Sequence, residues 1–394
     1  MRGPVPPQID LWHDVVRRAG TLGDGVAHPL DSDIALLQYT GGTTGTPKGA
    51  VLTHRNLVAN AVQGQSWARF TEGEETVYGA LPFFHAFGMT FCLTLAIRIG
   101  ATLVAFPKFD AEAMVAAQSR RPATFLPGVA PMFDRIVTAA EQSGADLSSI
   151  RLAFAGAMPI PRETATRWED ASGGLLIEGY GLTESSPVAL GNPVSADREP
   201  GTLGLPFPST DIRVLPLEAD PSGSLATEGT GELLIRGPQV FSGYWNRPEE
   251  TAAQLLEGGW LRTGDIVTVD ERGVARLVDR SKELILSGGF KVYPSQVEDT
   301  LRAMPGVLDV AVVGLPGQGA DERVAAAVVL DEGHPPVTLA ALRAWGEQRL
   351  TRYALPRALG IVSELPRSQI GKVLRRVVRE DLLGRDDLEH HSRS

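Results

Sequence analysis

Cysteine is almost absent from this chain. Cys92 is the only one in 394 residues, so no intrachain disulfide is possible, which accords with a reducing compartment such as the cytoplasm. Positive charge is also short. The 37 Lys and Arg residues stand against 47 Asp and Glu, a net charge of −10, and no basic block interrupts the pattern. That argues against a nucleic-acid partner, and any anionic substrate must meet local positive exceptions. Long apolar runs are missing too. The most apolar window, residues 91–106, contains Arg98 and falls short of the ~20 residues that span a bilayer. The first thirty residues are polar and proline-bearing, without the apolar centre of a signal peptide. The expectation is a cytoplasmic protein with no transmembrane segment. Peripheral membrane contact and a homodimer both stay open.

What is present is enough for two or three domains and a large core. Residues 1–32 carry four prolines and read as a lead-in with one helix near Leu11 to Arg18. From 33 to 199, short apolar strands alternate with helical stretches, the pattern of a layered α/β sheet. From 200 to 278 helices nearly vanish, and short strands separated by Gly and Pro turns predict a small β-barrel. Residues 279–283 form a charged break. Residues 284–394 read as a smaller α+β domain, in which Ser295-Gln296-Val297-Glu298 predicts a capping box and Thr338 a helix cap. The apolar strand Ile34–Tyr39 reads as a central sheet strand, buried on both faces.

The densest chemical signal follows that strand. Tyr39-Thr40-Gly41-Gly42-Thr43-Thr44-Gly45-Thr46-Pro47-Lys48-Gly49 holds four glycines, four threonines and one lysine. Glycines let backbone N–H groups approach anionic oxygens, and hydroxyls and a lysine add donors and charge. A polyphosphate cradle and a flexible hairpin both fit this loop taken alone. It is not the NTPase P-loop, because the one Gly-Lys pair, Gly371-Lys372, precedes Val373 rather than Ser or Thr.

Further motifs follow in order: Tyr180-Gly181-Leu182-Thr183-Glu184-Ser185, Arg262-Thr263-Gly264-Asp265, Asp279-Arg280-Ser281-Lys282-Glu283, Gly288-Gly289-Phe290-Lys291, and Leu365-Pro366-Arg367-Ser368-Gln369-Ile370-Gly371-Lys372. This ordered set resembles the acyl-adenylate-forming enzymes, from about residue 33 to 385. Pro82-Phe83-Phe84-His85, Phe125-Leu126-Pro127-Gly128 and Val240-Phe241-Ser242-Gly243-Tyr244-Trp245 make it most similar to the bacterial long-chain fatty-acid–CoA ligases. The resemblance implies ATP-dependent activation of a fatty acid to acyl-AMP with loss of pyrophosphate, then transfer to CoA.

It also implies roles for individual residues. Thr40, Gly41, Gly42, Thr43, Thr44, Gly45, Thr46 and Lys48 would hold the β- and γ-phosphates. Glu184 would bind Mg²⁺, with Thr183 beside it on phosphate. Tyr180 would stack on adenine, framed by Glu178, Gly179, Gly181, Gly156 and Ala157. Asp265 would accept from the ribose hydroxyls and Arg280 would reach ribose or phosphate. Lys372 would bridge the carboxylate and the α-phosphate. His85 would gate an acyl site lined by Phe87, Gly128 and Ala157. Lys282 would be the hinge of a mobile C-terminal domain, whose rotation brings Gly288, Gly289 and Lys291 to CoA. Plainer readings exist: a structural His85, a core Tyr180, an Asx-turn at Asp265, a solvated Lys372 and a β-turn at Gly288-Gly289. The front departs from the family, since 38 residues precede Tyr39 where relatives carry over a hundred. An incomplete first lobe is expected, and a carrier-loading adenylation module or a non-catalytic nucleotide- or acyl-binding remnant are the alternatives.

Overall fold

The computed structural model describes residue 18 and residues 28–40, 47–217, 226–317, 321–331, 333–368 and 371–391. Ile34–Thr40 (β1) and Lys48–Thr53 (β2) pair antiparallel, with Thr40 opposite Lys48. His54–Ala68 (α1) follows at once. Thr53 caps it: its hydroxyl accepts from Asn56 N–H, and the Asn56 side chain accepts from Thr53 N–H, which satisfies two otherwise orphaned donors. The buried face of α1 is polar. Asn56 donates to the carbonyls of Pro238 and Val240, Asn60 to Val188, and Gln63 to Pro208. These bonds fix β2 against the rest of the molecule.

Thr76–Gly79 (β3), Thr102–Ala105 (β4), Phe125–Gly128 (β5), Leu152–Ala155 (β6), Leu175–Gly181 (β7), Val188–Gly191 (β8) and Leu205–Pro206 (β9) form one seven-stranded sheet in the order β4-β3-β5-β6-β7-β8-β9. The first five are parallel and the last two join antiparallel. Helices Ala111–Gln118 (α2), Ala130–Ser143 (α3) and Arg162–Ser172 (α4) make the crossovers, as parallel strands require. The window around Phe91 is helical, running through Ala86–Gly88, the π-wound Met89–Thr94 and Leu95–Arg98. Its Phe91 joins Phe125, Phe133, Phe154 and Trp168 in the largest core.

Asp211–Pro216 (β10), Gly229–Arg236 (β11), Leu255–Leu256 (β12), Trp260–Val269 (β13) and Ala275–Arg280 (β14) form an antiparallel sheet. The short helix Pro248–Gln254 (α5) precedes β12. The expected barrel is instead an open, curled sheet. β12 and β14 share one edge of β13, and no pairing returns from them to β10 among the described residues.

The C-terminal unit begins with the hairpin Ile285–Ser287 (β15) and Phe290–Val292 (β16), followed by Pro294–Arg302 (α6). Val307–Pro316 (β17), Glu322–Leu330 (β18), Ala358–Val362 (β19) and Glu389–His390 (β20) make its main sheet; Leu339–Gly346 (α7) and Arg375–Leu383 (α8) are its other helices. Alternate residues of β17 and β18 feed separate cores on the two faces, Val310 and Val312 into one, Ala311 and Val313 into the other. Both faces are covered, hence the unbroken apolar runs.

Two local expectations fail. No side-chain cap opens α6. Pro294 starts that helix after Tyr293, while Ser295 N–H donates to Asp279 and Glu298 is drawn inward to Arg375 and the Val312 N–H. A buried ion pair outcompetes a local cap there. Nor is β1 a central strand. Among the described residues it pairs with β2 alone, and Ile34 and Tyr39 are about half exposed. The Thr338 cap holds, accepting from Ala341 N–H. The expected helix at residues 11–18 lies outside the described residues apart from Arg18.

Candidate active site

Asp265 sits in β13, directly across from Arg280 in β14. It is 1% exposed. Its Oδ1 lies 3.0 Å from Arg280 Nε, and its Oδ2 accepts the Tyr180 hydroxyl at 2.5 Å. Burial pushes the Asp265 carboxyl up, while Arg280, the Tyr180 hydroxyl and Lys372 pull it back toward the charged form. A carboxylate has about four acceptor sites, so both oxygens keep room for a further donor. Tyr180 is the next-to-last residue of β7, and its hydroxyl is anchored on Asp265. The plain reading of Asp265 as a turn residue does not hold, because it is built into the middle of a strand.

Lys372 reaches the same cluster from the C-terminal unit. Its loop is tight: Lys372 N–H donates to Ser368 Oγ at 3.2 Å, Gly371 N–H to the Ser368 carbonyl at 2.8 Å, and Arg367 to the Gly371 carbonyl at 2.6 Å. Gly371 has φ +82, and a β-carbon there would meet Met158 at 3.6 Å. The loop therefore rests on the turn at residues 155–159. Burial, with Arg280 nearby, lowers the Lys372 ammonium to about 8. Gln369 and Ile370 lie outside the described residues.

A second cluster sits at the end of β2. Glu184 belongs to the turn Thr183–Ser185, with Thr183 half-buried beside it. The Tyr244 hydroxyl donates to Glu184 Oε1 at 2.6 Å, and Lys48 Nζ lies 5.0 Å from the centroid of the same ring. Thr40 Oγ1 reaches the Lys48 carbonyl at 3.5 Å. Gly41, Gly42, Thr43, Thr44, Gly45 and Thr46 lie outside the described residues. Tyr244 was not among the residues expected here. Its signal lay in the segment 240–245, which sequence reading used only as a likeness.

The glycines around Tyr180 serve close packing. A β-carbon on Gly179 would come within 2.2 Å of the Phe154 ring, and one on Gly181 within 1.8 Å of the Pro187 carbonyl oxygen. Glu178 acts as a clasp. Its carboxylate accepts from Ile160 N–H at 3.3 Å and Gly201 N–H at 2.7 Å, and burial pushes it up. Gly156 lies against the Phe87 ring, and exposed Ala157 holds the left-handed φ of +67, a conformation that is uncommon without a glycine.

The expected acyl lining has a different character. His85 caps a short helix through Nδ1, which accepts from Phe87 N–H at 3.3 Å, and burial lowers its imidazole. The space beside Gly128 is taken by Phe133, 2.9 Å from where a β-carbon would stand. Phe87, Phe91 and Phe154 pack ring against ring. The Phe133 and Phe87 rings thus stand beside Gly128 and Gly156.

Gly288 and Gly289, with φ of +61 and +79, form the two-residue turn of the β15–β16 hairpin, a conformation that favours glycine. Gly288 N–H donates to Asp321 at 2.5 Å. Lys291 lines a cleft of about 320 Å³ with Arg262, Glu232 and Leu286. No hydrogen bond or ion pair among the described residues joins this hairpin to Asp265 or Lys372. Lys282 lies exposed in the turn Ser281–Glu283, between β14 and β15.

The family model of the AMP-binding enzymes matches residues 9–245, and that of their C-terminal domain matches residues 296–372. The chain belongs to the AMP-binding enzyme family. Among family members, a long-chain-fatty-acid–CoA ligase of Bacillus subtilis (strain 168) is 40% identical over 89% of this chain and 62% of its own length. A feruloyl-CoA synthase of an Amycolatopsis species is 38% identical over 88% of this chain and 70% of its own. ATP-bound MatB from Rhodopseudomonas palustris superposes with a TM-score of 0.84 at 32% identity, covering 94% of this chain and 72% of that one. The chain thus spans less than two thirds of the long-chain ligase it resembles. No helix among the described residues is long and apolar enough to cross a membrane.

Proposed function

We propose that this chain carries the adenylate-forming machinery of an acid–CoA ligase, which joins a carboxylic acid to AMP and then passes the acyl group to CoA. The observation that carries this reading is the seat of Lys372. A desolvated ammonium in the field of Arg280, Glu283 and Asp265, from a loop resting on Met158, suits a group that meets charge developing at an α-phosphate. In the first half-reaction the acid's carboxylate oxygen attacks the α-phosphorus of ATP and pyrophosphate leaves. Asp265 accepts from ribose hydroxyls, Tyr180 offers its ring to the base, and Lys48, Thr40 and Thr183 meet the leaving polyphosphate. In the second, the CoA thiol attacks the acyl carbon and AMP leaves. Lys282 would absorb the change in domain angle that brings Gly288, Gly289 and Lys291 forward.

Glu184 fits a magnesium ion. It offers one carboxylate, with Oε1 engaged by Tyr244, and no cluster of three or more acidic, His or Cys side chains surrounds it among the described residues. Magnesium is held this way, by one or two carboxylates together with substrate phosphates. When bound it neutralises charge on the departing pyrophosphate.

A long-chain fatty acid is the substrate suggested by the likeness to the B. subtilis ligase. A second reading, a shorter or aromatic acid, is favoured by the closed packing of Phe87, Phe91 and Phe154 beside the Gly156 turn and by the likeness to the feruloyl-CoA synthase. Pyrophosphate release measured across fatty, hydroxycinnamic and dicarboxylic acids, with and without CoA, tests both. Release that depends on no acid would overturn the ligase reading.

A further inference from the structure

Lys48 and Glu184 carry opposite charges at one end of the site, yet no ion pair joins them. The Tyr244 ring stands between, with the Lys48 ammonium over its face and the Glu184 carboxylate on its hydroxyl. We propose that Tyr244 is a strut that keeps Lys48 and Glu184 from neutralising each other, so that both stay aimed at an incoming polyphosphate and its metal. The proposal rests on the nucleotide-activating reading above.

Tyr244 is built to hold one position. It is 9% exposed. The Phe241 ring meets it edge-on at 5.0 Å, and its N–H donates to Thr251 Oγ1 at 2.9 Å. Gly243 makes the turn possible. Its φ is +134, and a β-carbon there would come within 2.6 Å of Thr251 Cγ2. The surrounding backbone is tied to both charges. Trp245 N–H donates to the Gly49 carbonyl at 2.8 Å, Val51 N–H to Gly243 at 2.9 Å, and Phe241 N–H to the Glu184 carbonyl at 2.9 Å. One short segment therefore sets the distance between the lysine of β2 and the glutamate of the Thr183–Ser185 turn.

The chemistry suits the task. A ring face attracts an ammonium without supplying a formal charge. A phenol donates to a carboxylate oxygen and leaves the other oxygen open. Burial and Glu184 itself push the Tyr244 hydroxyl well above its ordinary value, so the strut stays a donor at every working pH. Without the ring, Lys48 and Glu184 would be free to collapse together. A nucleotide would then have to break that pair before binding. Exposed pairs are worth up to ~1 kcal/mol, which is about fivefold in affinity.

A double-mutant cycle tests this. Tyr244→Leu and Glu184→Gln are made singly and together. Two quantities are read: ATP affinity by calorimetry with EDTA present, and the rate at which an amine-acylating reagent labels Lys48, followed by mass spectrometry without nucleotide. Glu184→Gln should speed Lys48 labelling about fivefold in the Tyr244→Leu protein, and less than twofold when Tyr244 is present. It should also raise metal-free ATP affinity about fivefold more in the leucine background than in the tyrosine one. Equal effects of Glu184→Gln in both backgrounds would overturn the strut. Tyr244→Phe guards against misfolding, since it keeps the ring and loses only the hydroxyl. It should leave Lys48 labelling near the native rate, and a change as large as that in the leucine variant would refute the role of the ring face. If no form binds ATP, the ligase reading fails, while the labelling arm still decides for or against the strut.

Discussion

Replacing Lys372 with alanine removes an ammonium that the C-terminal unit brings to the Asp265–Arg280–Tyr180 cluster. An ammonium and a phosphate oxygen about 4 Å apart attract by ~4 kcal/mol at an effective dielectric of ~20, an upper bound near three powers of ten. Loss of one preorganised donor costs about 10²–10³ in rate, so adenylation should fall by that factor. The pH profile sharpens the test. With a value of about 8, Lys372 is about nine-tenths protonated at pH 7 and about one-tenth at pH 9. The protonated form is the useful one, so kcat/KM for pyrophosphate release should decline from pH 8 upward, close to tenfold per unit. The limb should move to higher pH in kcat, because a bound phosphate favours the ammonium. Stability should run the other way. The folded value lies below the unfolded 10.5, so the unfolded chain binds more protons between about pH 8 and 10.5, and this group favours folding more as pH rises through that window. Lys372→Arg, charged throughout, should lose the alkaline limb. The assay pairs acid-dependent pyrophosphate release with CoA consumption from supplied acyl-AMP. An equal loss in both half-reactions of Lys372→Ala, or an alkaline limb that persists in the arginine variant, would refute the assignment.

Lys282→Pro fixes φ and deletes an N–H in the turn between β14 and β15; adenylation should survive while thioester formation falls, and retention of both would place the hinge elsewhere. Asp265→Ala strips an acceptor from Tyr180, Arg280 and the ribose, and ATP binding should weaken by about 1.5–3 kcal/mol, the worth of a charged hydrogen bond; calorimetry giving unchanged affinity would remove Asp265 from the nucleotide site. Glu184→Ala should show a magnesium defect that excess metal partly restores, and a loss indifferent to metal concentration would reverse its role. Ile34, Tyr39, Val58, Val62, Phe84 and Ile97 are all large exposed apolar side chains, and β1 has one paired edge among the described residues; the 394-residue chain by itself should self-associate and bind a hydrophobic dye, and a dye-free monomer in sedimentation would show otherwise.

Much of this molecule is local chemistry, and local chemistry is written in order along the chain. Ala130–Ser143 is a helix because its apolar spacing and the Gly144 that ends it act within a few residues. The alternation of short strands and helices from 33 to 199 pointed to a layered α/β sheet for the same reason, and the parallel pairing of strands β3 to β7 came with the structure. Asp265, Arg280, Tyr180 and Lys372 were each picked from motifs, and three-dimensional packing brings them together.

Other features depend on partners far away in sequence, and only the tertiary structure decided them. Glu298 left its expected cap because Arg375, 77 positions on, offered a buried ion pair. The second core of the C-terminal unit, the open edge of the β10–β14 sheet and the one-sided pairing of β1 follow from which strands meet, which no window of residues reports. Gly128 was expected to line an acyl site with Phe87 and Ala157, and which ring stands beside it, that of Phe133, is decided by packing alone. Tyr244 is the clearest case. Its hydroxyl meets a residue 60 positions earlier and its ring a lysine earlier still. A phenol between two opposite charges exists only after β2, the Thr183–Ser185 turn and residues 241–245 have been hydrogen-bonded into one frame.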